Sequence, residues 1–151
     1  IEKIGLLEED FFLIWEETDY CYRAKKAGFE IWAVPTAKVW HKISSSFSGG
    51  HHHMHYYWWR NRLLWIKRNC SKQEKKQLYK NVIFPEIIHI HKLKYLKSLQ
   101  YLFLLTFFYF FPKNKKIKKQ KLLRYKAGCK GIKDYYRRKF GKGPKWLSKK
   151  L

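Results

Sequence analysis

Asp10, Glu16, Glu17 and Asp19 fall within ten positions of one another beside Trp15, at the end of the apolar run FFLIW. A carboxylate held at the end of a buried strand can take a proton from a hydroxyl nucleophile, provided it lies within hydrogen-bond reach. The neighbouring indole offers a flat face for the apolar side of a sugar ring. The same acids also suit the start of a helix, where the macrodipole favours negative charge and Asp19 precedes Arg23 by four residues. Spacing alone leaves both readings open.

A second group of polar side chains is denser but less complete. His51, His52, His53 and His55 lie together, and His51 and His55 share a helix face that suits a transition metal, yet no Cys or acid completes a site there. The cluster therefore reads as a polar helix start near an acceptor or a membrane surface. Trp58, Trp59 and Trp65 suit stacking on sugars or bases, and at helical spacing they also suit a core. Cys21, Cys70 and Cys129 are scattered without a CxxC pair, which argues against a disulfide framework or zinc site and fits a reducing compartment.

These side chains need elements to position them. FFLIW (11–15), EIWAV (30–34) and KVWHK (38–42) read as strands, the last two separated by a PTA turn. Between the first two, Thr18 is placed to cap a helix from Asp19 to about Ala27, with Cys21 and Ala24 on one face and Gly28 as the stop. Strand, acidic loop, helix, strand is an α/β arrangement, in which loops at strand ends carry ligands. Beyond the loop signal SSSFSGG (44–50) the pattern turns helical. Tyr56, Trp59, Leu63 and Ile66 or Trp65 recur at three- and four-residue spacing over 52–69, with Arg60, Arg62, Lys67 and Arg68 on the remainder. A further helix is expected up to Pro85, and another from about Ile87 to Phe111.

Charge follows the same division. The first fifty residues carry a net −2 and the remaining 101 carry +25, in a chain of 151 residues at +23 overall. Hydrophobic residues at 46% and aromatics at 19% provide enough apolar surface to exclude disorder. The excess of lysine calls for an anionic partner: a nucleic acid, a membrane surface or a phosphorylated ligand. The run Tyr101–Phe111 would extend only ~16 Å as a helix against a hydrocarbon core of about 30 Å. Lysines crowd both of its ends, so an interfacial helix is expected rather than a spanning one.

GLLEEDFFLIWEETDYCYRAKKAGFEIWAVPTAKVWHK, then SSSFSGG, then YYWWRNRLLWIKRN, resembles the C-terminal half of bacterial family 2 glycosyltransferases, especially the rhamnosyltransferase-like ones. The resemblance, close over about the first 70 residues, implies a partial GT-A, Rossmann-like catalytic domain over 1–69, and the lysine-flanked apolar pattern makes 70–151 a basic, mostly helical membrane-docking extension. The resemblance also implies inverting transfer of a sugar from a nucleotide-diphosphate donor to a hydroxyl of a polysaccharide or lipid-linked acceptor, and the interfacial helix with its lysines puts the protein peripherally at the cytoplasmic face of the inner membrane. The family's Trp-Glu-Asp-x-Asp motif falls on Trp15, Glu16, Glu17, Thr18 and Asp19, making Glu17 the general base, with Glu16 and Asp19 beside it and Trp15 and Trp40 toward substrate. Glu17 stands where Asp is commonest, and its extra methylene moves the carboxylate by roughly an ångström. His41 matches a residue that approaches a divalent cation, Mn²⁺ or Mg²⁺, on the donor diphosphate. The Asp-x-Asp motif that normally completes that metal site and the nucleotide-binding βαβ unit would lie upstream of Ile1, so a fragment without activity of its own is expected. The competing class is a basic nucleic-acid-binding or membrane-surface adaptor without catalysis. No nucleic acid is expected, because the lysines flank an apolar run and no RNA- or DNA-binding motif is present.

Overall fold

A computed structural model of the chain describes residues 2–40, 52–107 and 112–148. Helix α1 (Glu16–Lys26) follows a turn-rich N-terminal segment, and a non-regular stretch follows α1. Then come α2 (His52–Asn69), α3 (Lys72–Leu78), a π-helical turn (Tyr79–Ile83), α4 (Phe84–Phe107) and α5 (Pro112–Tyr136). A 3₁₀ turn (Lys145–Ser148) closes the described chain.

The α/β, GT-A-like architecture is overturned: among the described residues there is no strand, and all regular structure is helical. A strand satisfies its backbone only through a neighbour's ladder, and no described residue of the three apolar runs finds one. Residues 11–15 fold into turns instead. Residues 29–40 run without regular structure and largely in solvent, with Trp32 and Trp40 at 77% and 88% exposure. The PTA turn does form, closed by the Ala37 N–H donating to the Val34 carbonyl at 3.1 Å.

Helix α1 starts at Glu16 rather than Asp19, and Thr18 does not cap it. Trp15 occupies the cap position in the left-handed region at φ 80°, without a side-chain cap, and three acids fill the first turn. Gly28, at φ +85°, stands just beyond the C-cap, where a left-handed residue lets the chain leave the helix. Cys21 is exposed; Asp19 and Ala24 form the buried face.

Helix α2 is the hub. Tyr56, Trp59, Leu63 and Ile66 form one buried face, and Tyr57, Arg60, Asn61 and Leu64 form a second, so the helix is enclosed on both sides. Trp59, Leu63 and Ile66 join Ile83, Ile90, Cys129 and Ile132 in the main core, while Tyr56 packs with Tyr57, Ala127 and Leu147 in a second cluster. Full burial of Leu63 and Ile83 stabilises by about 1.5–3 kcal/mol each relative to exposure. Residue pairs along α2 and α5 run in opposite order, which makes the helices antiparallel, and glycines bring them close. A Cβ on Gly131 would lie 2.2 Å from the Tyr56 carbonyl oxygen, and one on Gly128 2.8 Å from the Trp59 ring.

Pro85 does not end a helix. It lies at the start of α4, just after the π turn, whose wider spacing absorbs the hydrogen bond that proline cannot make. Ser71 caps α3 in a capping box with Glu74: the Glu74 N–H donates to Ser71 Oγ at 3.3 Å and the Ser71 N–H to Glu74 Oε2 at 2.7 Å. Among the described residues no helix is long and apolar enough to cross a membrane. The SSSFSGG loop and the end of the Tyr101–Phe111 run lie outside the described residues.

Candidate active site

The acidic segment is held from below by two residues of α2. Arg60 is fully buried and donates from Nη1 to the Gly141 carbonyl at 2.6 Å, and from Nη2 to the carbonyls of Asp10 at 3.1 Å and Phe11 at 2.9 Å. Its guanidinium also lies over the rings of Tyr56 and Tyr57, 5.3 and 5.0 Å from their centroids. Asn61, likewise buried, donates through Nδ2 to the carbonyls of Phe11, Leu13 and Ile14 at 2.8, 2.7 and 2.8 Å. Its Oδ1 accepts from Arg60 Nε at 2.9 Å. A planar fork and an amide thus take the carbonyls that a strand would have paired.

That clamp holds an unusual backbone. Phe12, Ile14 and Trp15 have φ values of 59°, 67° and 80°, a region costly for side chains with a Cβ. Such strain persists only where the surroundings over-determine it, and it concentrates at functional sites. Here it ends at Glu16 and Glu17.

The three acids of the first turn have separate fates. Asp19 is fully buried and accepts at both oxygens, from Arg23 Nε at 2.8 Å and from Asn69 Nδ2 at 2.9 Å, with Arg68 Nε 4.0 Å away. It pins α1 to the end of α2. Tyr22 assists, donating to the Asn69 carbonyl at 3.0 Å. Glu16 is half-buried, and its Oε2 has no hydrogen-bond partner. Burial raises its carboxyl above the usual value, partly offset by a bond from its own backbone N–H, and the adjacent Glu17 charge adds to the rise. Glu17 is exposed.

The aromatic candidates divide in the same way. Trp15 packs against Trp58 and Trp65, with ring centroids 5.3 and 5.8 Å apart, so those neighbours occupy much of its surface. Trp40 stands in solvent at the end of the irregular stretch. His41 lies outside the described residues. Among the described residues no three His, Cys, Asp or Glu side chains gather closely enough to hold a metal ion.

Of the histidine cluster, His51 lies outside the described residues, and His52 opens α2 as expected, but the helix start is not a solvent-facing polar one. His52 and His53 are buried, and His52 stacks on Trp146 with centroids 5.9 Å apart and planes 4° from parallel. Burial lowers the pKa of His52 from its ordinary value.

Arg60 and Asn61, the residues that organise the site, escape a reading by periodicity, which puts Arg60 on a polar face. The one available signal was their place within YYWWRNRLLWIKRN. Comparisons with protein-family models, with curated proteins and with solved structures found no match.

Proposed function

We propose that this chain carries the acid-bearing, acceptor-side part of an inverting glycosyltransferase, with Glu17 as its general base. The activity is transfer of a sugar from a nucleotide-diphosphate donor to a hydroxyl of a saccharide or lipid-linked acceptor. The observation that carries this reading is the division of labour among three neighbouring carboxylates. Asp19 is fully engaged by Arg23 and Asn69, Glu16 is half-buried, and Glu17 alone faces solvent, directly after a strained segment clamped by Arg60 and Asn61. The resemblance to the family 2 motif assigns the base to the same residue.

The chemistry is an in-line displacement. A Glu17 oxygen takes the acceptor hydroxyl's proton as that oxygen attacks the anomeric carbon from the face opposite the diphosphate. The bond from the anomeric carbon to the diphosphate breaks, and the nucleoside diphosphate leaves with the electron pair. Configuration inverts. A divalent cation belongs to the family expectation, and no step is routed through it.

The test is Glu17→Gln in the protein as its gene encodes it. An amide of the same shape cannot accept the proton, so kcat should fall by about 10²–10⁴-fold while donor affinity and melting temperature stay unchanged. Near-native kcat would remove Glu17 as the base.

A further inference from the structure

Helix α4 has two faces of opposite logic. Ile90 is buried in the core, while Phe84, Ile88, Tyr95, Leu99 and Leu102 are exposed by 52%, 68%, 64%, 46% and 58%. Their spacing puts all five on one stripe, ~27 Å long at 1.5 Å per residue. An exposed apolar stripe of this kind, interrupted by His91 between Ile88 and Tyr95, marks an interaction site.

Beside the stripe lies a recess of about 470 Å³ between α4 and α5, lined by His91, Lys94, Lys126, Lys130 and Lys133, with Cys129 and Ile132 among them. His91 follows Ile88 by three residues and precedes Tyr95 by four, so the recess opens along the stripe's edge. Lys130 is held by Asp134. Among the described residues no carboxylate pairs with Lys94, Lys126 or Lys133.

We propose that the α4–α5 hairpin docks this protein on an anionic phospholipid bilayer, the stripe entering the acyl boundary and the lysine recess taking a headgroup phosphate. An apolar stripe bordered by lysines matches the two layers of such a surface: hydrocarbon below, negative charge above. A second copy is disfavoured, because pairing two stripes would bring the same lysines together. A nucleic acid could meet the lysines and stack on Phe84 and Tyr95, but it leaves Ile88, Leu99 and Leu102, the aliphatic majority of the stripe, without a complement. The proposal is independent of the transferase reading.

The experiment is flotation of the 151-residue chain with vesicles of phosphatidylcholine alone, or of phosphatidylcholine and phosphatidylglycerol in equal parts. Binding should require the anionic lipid and weaken with sodium chloride. Lys126→Gln with Lys133→Gln, both exposed positions, should weaken it roughly thirty-fold, the loss expected for two lysines at a headgroup surface. Ile88→Glu with Leu99→Glu should abolish it while leaving the helical circular dichroism and melting temperature intact. Glu17→Gln should bind as wild type, which keeps this test separate from that of the active site. Three results would overturn the proposal. One is equal binding to neutral vesicles. Another is release by inorganic phosphate beyond that by chloride at equal ionic strength, which would assign the recess to free phosphate. The third is a stripe variant that still floats, or that instead dissociates a dimer in sedimentation velocity.

Discussion

Glu16 and Glu17 are adjacent carboxylates at one helix start, separated in role by environment. Glu16 is raised by burial, so its folded pKa lies above its unfolded value and the folded state binds the extra proton. Glu16 therefore favours folding most below the ordinary carboxylate pKa, and that contribution is lost as pH rises through the folded value. Glu16→Gln removes the ionisation. The variant should melt higher than wild type at neutral pH and converge with it on acidification below the unfolded pKa; a pH-independent difference in melting temperature would contradict the burial argument. The acids themselves were legible in the sequence as a cluster beside Trp15. Their separate environments were not, because the partners that decide them, Asn69 on Asp19 and Asn61 on the preceding carbonyls, lie 50 and 47–50 residues away in the chain.

At the scale of elements, local periodicity succeeded where packing agreed with it. The expected limits of α2, 52–69, match the observed helix, because Tyr56, Trp59, Leu63 and Ile66 form a real buried face. Strand propensity failed over 11–15 and 30–34, since a β-rich run without a neighbour has nothing to pair with. Pro85 misled through the same kind of local rule, which took no account of a π turn. Close approach of α2 and α5 yields a sharp expectation. Gly131→Ala gains up to about 1 kcal/mol of helix propensity. The added methyl, however, would meet Tyr56 backbone at 2.2 Å, and overpacking of this kind costs about 1–3 kcal/mol. A lower melting temperature is expected, whereas a rise would mean that the helices separate freely.

For the whole molecule, a net charge of +23 on 151 residues sets both partner choice and stability. Repulsion among the lysines opposes the compact state, and it is screened as the Debye length falls from about 30 Å at 0.01 M salt to about 8 Å at 0.15 M. The melting temperature should therefore rise over that range by circular dichroism; a fall would show that the ion pairs, such as Arg68 with Glu8, outweigh the repulsion. By itself the sequence determined the charge division, the acid cluster, the limits of α2 and the glycine stop after α1. Each of these depends on composition or on neighbours within a turn or two. Only the tertiary structure decided that Arg60 and Asn61 lie buried beneath the acids, that residues 11–15 are turns rather than a strand, and that one face of α4 stays in solvent. Those outcomes depend on which distant segment lands on which surface. Whether a guanidinium meets water or carbonyl oxygens 49 residues away is a property of packing that no local pattern records.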